Sequence, residues 1–126
     1  MSGEISFTYA LGLSNGNLDS LTIPTRTVSI DQATAAPSRI GGTQTFTDTE
    51  AAITLTGLTT NGVALFRNRH ATKYVTIGVK PAATYYPLIR IEPGEAWAFR
   101  IEPAIAPYAK AETGATVKLE CNILDD

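Results

Sequence analysis

The sequence predicts an all-β protein, a single-domain antiparallel β-sandwich or jelly roll of about nine to ten short strands with little or no helix. Three observations lead there. Apolar and polar residues alternate with a period of two in several stretches, which is the pattern of strands with one buried face. Turn signals recur at short intervals, Asn61-Gly62 and Pro93-Gly94 foremost. Seven prolines and ten glycines interrupt the 126 residues, and no window carries apolar residues at i, i+3, i+4 and i+7 over three helical turns.

The first strand is read from Ile5, Phe7, Tyr9 and Leu11, which alternate with Ser6, Thr8 and Ala10 until Ser14-Asn15-Gly16-Asn17 ends the run. Leu21 to Ile23 is a short strand stopped by Pro24, and Thr25 to Ile30 is a second with Val28 and Ile30 facing alike. Residues 31–50 hold few large apolar side chains, a proline and a Gly-Gly pair, so they form a long loop or an extended arm reaching a neighbour. A short strand at Thr43 to Thr47, carrying Phe46, interrupts it, and a single helical turn is expected near Asp48 to Ala52. Ala52 to Leu58 is extended, with Ile53 and Leu55 on one face.

Asn61-Gly62 feeds a strand from Val63 to Asn68 whose Ala64, Leu65 and Phe66 imply cover on both faces. Arg69 to Lys73 makes a turn, and Tyr74 to Val79 is the next strand, closed by Pro81. Leu88 to Glu92 and Glu95 to Ile101 join through a type II turn in which Pro93 fixes φ and Gly94 accepts a positive φ. Pro103 and Pro107 punctuate a loop before Tyr108 to Glu112. Val117 to Leu124 closes the series, with Cys121 alternating among Val117, Leu119 and Ile123 as a small buried hydrophobe. Trp97 and Phe99 are expected in the core with Val75 and Ile77.

Length fits one domain over residues 1–126, able to bury a core without metal or disulfide staples. Charged residues are only 17% of the chain and the net charge is −2. That argues against an electrostatically driven nucleic-acid binder, which concentrates excess Lys and Arg. The single cysteine, Cys121, precludes an intrachain disulfide and points to a reducing compartment or to redox indifference. The N-terminal residues lack the basic start and apolar run of a signal peptide, and no stretch approaches the ~20 apolar residues of a membrane span. The expectation is therefore synthesis in the cytoplasm with neither nucleic acid nor membrane as partner.

No catalytic constellation is written in the chain. The one histidine, His70, lies in the basic turn Arg67-Asn68-Arg69-His70-Ala71-Thr72-Lys73 without the spaced ligands of a metal site or a poised nucleophile. Arg67, Arg69, His70 and Lys73 form either a solvated turn or a contact patch for an acidic protein surface, a carboxylate or a phosphate. Glu92 and Glu95 flank an exposed turn, where nothing would raise a carboxyl pKa toward general-acid duty. Asp125 and Asp126 read as a solubilising end. Tyr85 and Tyr86, adjacent and next to Pro87, cannot both point inward, and an exposed Tyr suits a protein interface. No cofactor and no enzymatic activity are expected.

A strand ending in Phe66-Arg67-Asn68, the strand Tyr74-Val75-Thr76-Ile77-Gly78, the hairpin Leu88 to Glu95, then Tyr108-Ala109-Lys110-Ala111 and a strand from Val117 to Leu124 resemble small β-sandwich proteins of tailed-bacteriophage structural gene clusters. The resemblance covers about half the chain and rests on turns and alternation. It implies a virion component, a head decoration (cement) protein ahead of a tail or connector accessory. The implied partners are the major capsid protein or other virion proteins, with a symmetric homo-oligomer such as a trimer compatible. A binding module for host glycans or another receptor is the reading of a different class.

Overall fold

Antiparallel pairing organises the chain in a computed structural model that describes residues 3–16, 18–33 and 37–126. The chain divides into two compact units, residues 1–35 and 36–126, where the sequence suggests one domain over 1–126. The reason lies in strand pairing. Among the described residues, β1 (Ile5–Asn15) and β2 (Leu18–Ile30) pair only with each other, as a two-stranded ribbon.

β2 runs through Pro24 as one strand of 13 residues, which corrects the expectation of two short strands separated there. A bulge makes this possible. Tyr9 pairs with Arg26 but Leu11 pairs with Ile23, so Ala10 of β1 stands against both Pro24 and Thr25 of β2. A bulge is one of the few places in a ladder that tolerates a proline. The turn signal at Ser14 to Asn17 includes Asn17, which lies outside the described residues.

The second unit is an all-β sandwich. One sheet holds β5 (Ala51–Ala52), β10 (Tyr108–Ala111), β7 (Val75–Val79) and β8 (Tyr86–Ile91) in that order. The other holds β11 (Val117–Asp125) between β6 (Asn61–Asn68) and a broken edge made of β3 (Arg39–Ile40) and β4 (Thr43–Phe46), with β9 (Ala96–Arg100) beyond β6. The described part of 31–50 is thus partly laddered: Ile40 pairs with Ile123, and Phe46 with Val117. Its residues 34–36 lie outside the description. No helical turn forms at Asp48 to Ala52; a single 3-10 turn occupies Pro81–Ala83 instead.

Strand alternation sets the core. Val117, Leu119, Cys121 and Ile123 of β11 are fully buried and pack with Phe66, Val75, Ile91 and Ala109. Burial pushes the Cys121 thiol up to about 12, so it is inert. Leu65 points outward and is exposed, contrary to the expectation of cover on both faces of β6. Trp97 corrects another expectation. It has the inward parity, paired with buried Phe66, but β9 is an edge strand and Trp97 remains 50% exposed.

Two glycines carry local geometry. Gly94 has φ +80° in the Pro93-Gly94 turn, as a type II turn requires, and Glu95 N–H donates to the Glu92 carbonyl at 3.0 Å. At Gly78 the β8 backbone comes so close that an added Cβ would lie 2.0 Å from the Tyr86 carbonyl oxygen. Only glycine lets β7 and β8 pair across the irregularity at Ile77/Gly78.

Candidate partner-binding surfaces

The basic turn after β6 is built on one buried amide. Asn68 is fully buried, and its Nδ2 donates to the carbonyls of Lys73 at 2.8 Å and Ile91 at 3.0 Å. Its Oδ1 accepts the His70 N–H at 2.8 Å. Both Nδ2 donors and the Oδ1 acceptor are engaged, and these bonds hold residues 69–73 against the sandwich, because a buried amide left unpaired would be costly. His70 continues the scaffold: its Nδ1 accepts the N–H groups of Thr72 and Lys73, each at 3.0 Å. With Nδ1 an acceptor, the ring proton resides on Nε2.

Arg69 and His70 then line an open concavity of about 710 Å³ with Lys118, Thr43, Thr45 and Thr116. Among the described residues no carboxylate lines it. Neither Arg69 nor Lys118 has an ion-pair partner among the described residues, whereas Lys73, Lys80, Arg90 and Arg100 each pair with an acid. Such a set of donors can receive a carboxylate or phosphate oxygen.

The other sequence candidates go elsewhere. Arg67 faces out opposite Glu120 and does not line the concavity. Lys73 is engaged by Glu112 at 2.6 Å, an ion pair that holds the Glu112 carboxyl below its usual range. Tyr85 is partly buried with its hydroxyl 2.8 Å from Thr76 Oγ1, and burial raises its pKa. Tyr86 is 52% exposed on the edge strand β8, so the two tyrosines do divide between inside and outside. Glu92 pairs with Arg90, and Glu95 Oε1 accepts the Glu92 N–H, so both carboxylates fasten the turn.

Asp125 overturns the reading of a solubilising end. It is fully buried: Oδ1 accepts the N–H groups of Thr59 and Thr60, and Oδ2 that of Ser38. Those backbone hydrogen bonds, Ser38 first, hold its carboxyl below the usual range. Sequence reasoning missed it because its partners are 65 to 87 residues away. Asn68 left a faint trace, since Asn with a bonded N–H two residues on is an Asx turn.

The largest surface missed is one face of the β1–β2 ribbon. Cross-strand pairs Ile5/Ile30, Phe7/Val28, Tyr9/Arg26, Leu11/Ile23 and Leu13/Leu21 follow one another along it. The bulge is what keeps them together. Without its extra residue Ile23 and Leu21 would point to the opposite face from Val28 and Ile30, because strand side chains alternate. Phe7 and Tyr9 stack at 6.2 Å between centroids. Tyr9, Leu11, Leu13, Leu21 and Val28 are between 40% and 54% exposed. The other face carries Ser6/Ser29, Thr8/Thr27 with hydroxyls 3.2 Å apart, and Gly12/Thr22.

No protein-family model matches the chain, and no curated protein matches it. Among solved structures, a chain from a study of Bacillus endospore appendages, described as a family of disulfide-linked pili, is similar at 13% identity. The match has a TM-score of 0.47 and covers 71% of this chain and 86% of that one.

Proposed function

We propose that this protein is a non-enzymatic structural component of a phage virion, a decoration (cement) protein that binds the assembled head and stabilises it through protein-protein contacts. The observation that supports this best is the one-sided ribbon. An isolated two-stranded hairpin is marginal in water, and five successive cross-strand pairs that put nine apolar or aromatic side chains and one arginine on one face, with only Ile5 of them buried, call for cover. A protein that carries such a face works by association. The resemblance of the C-terminal half to small sandwich proteins of phage structural clusters supplies the setting, with the major capsid protein or another virion protein as partner. The donor-lined concavity of Arg69, His70 and Lys118 fits an acidic patch on that partner.

Copy number on purified particles tests this. Many copies per head, lost when Leu11→Asp and Leu21→Asp are introduced together, is the expected result. A few copies confined to the tail or neck would assign the protein to a tail or connector role, and absence from particles would refute a virion role.

One observation favours a second reading. Tyr86 and Trp97, on the edge strands β8 and β9, are both about half exposed, as a host-glycan or receptor module needs for stacking on sugar rings. Trp97 is the sole tryptophan, so a saturable, sugar-dependent change in its fluorescence would favour that function over capsid decoration.

A further inference from the structure

We infer that the apolar face of the β1–β2 ribbon is covered by the same face of a second copy of this chain, the two ribbons stacking about a two-fold axis that runs along their length. The inference rests on the assembly role proposed above and names the partner of that face. Its first support is one-sidedness. Nine apolar side chains and one arginine occupy one face, and hydroxyl-bearing and small residues occupy the other. A ribbon of this kind lies against a single layer, with its hydroxyl face in water. Two apolar sheet faces stack about 10 Å apart.

The second support is area. Tyr9, Leu11, Leu13, Leu21 and Val28 are each 40% or more exposed along one continuous strip, and a stable interface has to cover ~800 Å² per partner. A second copy offers a surface of the same length and width, and an isologous contact needs no other protein.

The third is the position of the one charge. Tyr9/Arg26 is the middle of the five pairs. An axis along the ribbon lays every β1 residue over the copy of its own cross-strand partner. Phe7 then meets Val28 of the second copy, Leu11 meets its Ile23, and Tyr9 meets its Arg26. The guanidinium thereby lies against a tyrosine ring, where cation-π attraction offsets part of its desolvation, and its long stem lets the charged head reach the ribbon edge. A two-fold axis across the ribbon would instead set Arg26 against Arg26, a like-charge contact. A dry apolar groove on an unrelated protein would leave the arginine unpaired.

Mass measurement and face-specific cross-linking test this on the full chain. Sedimentation equilibrium is expected to give twice the 13.4 kDa of the chain, with the dimer weakened at least ten-fold by Leu11→Asp. A milder variant keeps the test independent of folding. Cys121 is buried and its thiol inert, so Leu11→Cys and Thr8→Cys each introduce one reactive thiol, on opposite faces. A short bifunctional thiol reagent is expected to link Leu11→Cys covalently into dimers and to leave Thr8→Cys unlinked. A monomeric wild-type chain at concentrations of about 100 µM, or equal linking from both faces, overturns the inference. A monomer that still binds particles through the ribbon would do so while leaving the virion role standing. A dimer that never joins particles would uphold the inference and refute that role.

Discussion

In β11, Val117, Leu119, Cys121 and Ile123 alternate with polar residues and are fully buried, whereas in β1 Tyr9, Leu11 and Leu13 alternate in the same way and keep much of their surface in water. The two strands differ in what lies across from them. β11 has strands on both sides and a second sheet over its apolar face. β1 has β2 alone. Alternation therefore reports which way side chains point, and only topology decides whether the apolar side is covered within the chain or left for a partner.

The sharpest way to break this comparison is to remove apolar volume from each region. Phe66→Ala, in the sandwich core, is expected to cost ~3–5 kcal/mol by urea denaturation. Leu11→Ala, measured in dilute chain, is expected to cost under ~1 kcal/mol. Comparable losses would mean that the ribbon face is already covered.

A smaller effect is expected for the buried amide that secures the basic turn. Asn68→Ala should lower stability by roughly 1–3 kcal/mol, since it orphans the Lys73 and Ile91 carbonyls and the His70 N–H. Faster hydrogen exchange at His70 would accompany it. The matched change Thr8→Ala, on the hydroxyl face of the ribbon, should alter neither.

Acid titration sharpens the contrast further. Asp125 has a folded-state pKa below its unfolded value, so its contribution is complete above ~3.9 and is lost as pH falls through the lower folded value. The urea midpoint of the sandwich should fall in that window, and Asp125→Asn should flatten the fall. An unchanged acid limb in Asp125→Asn would show that the Ser38, Thr59 and Thr60 hydrogen bonds do not depend on the charge.

The smallest effect concerns backbone strain in the sandwich unit. Ala83 sits at φ +66°, a left-handed conformation that costs L-residues ~1 kcal/mol. Ala83→Gly should therefore raise stability by roughly 0.5–1 kcal/mol.

These contrasts also explain what could be read from residues alone. The all-β class, the Pro93-Gly94 turn and the buried row on β11 follow from local alternation and turn chemistry, so they were legible. The continuity of β2 was not, because a bulge at Pro24 exists only in register with β1. Trp97 has the right parity for the core, but parity carries no information on whether its strand lies at an edge. Asp125 was illegible for a different reason: a carboxylate near other acids looks solvated until Ser38, Thr59 and Thr60 are seen around it. At the basic turn, Arg69 and His70 were legible as a charged patch, while Lys118 joins them only because β11 runs alongside.

The irregularity at Pro24 bears on the size any assembly can reach. A proline supplies no backbone N–H, and a bulge twists the strand that carries it. A third strand laid along β2 would lose register halfway, so edge-to-edge addition on that side is disfavoured. The same break that gathers the apolar side chains thus works against open-ended strand addition along β2.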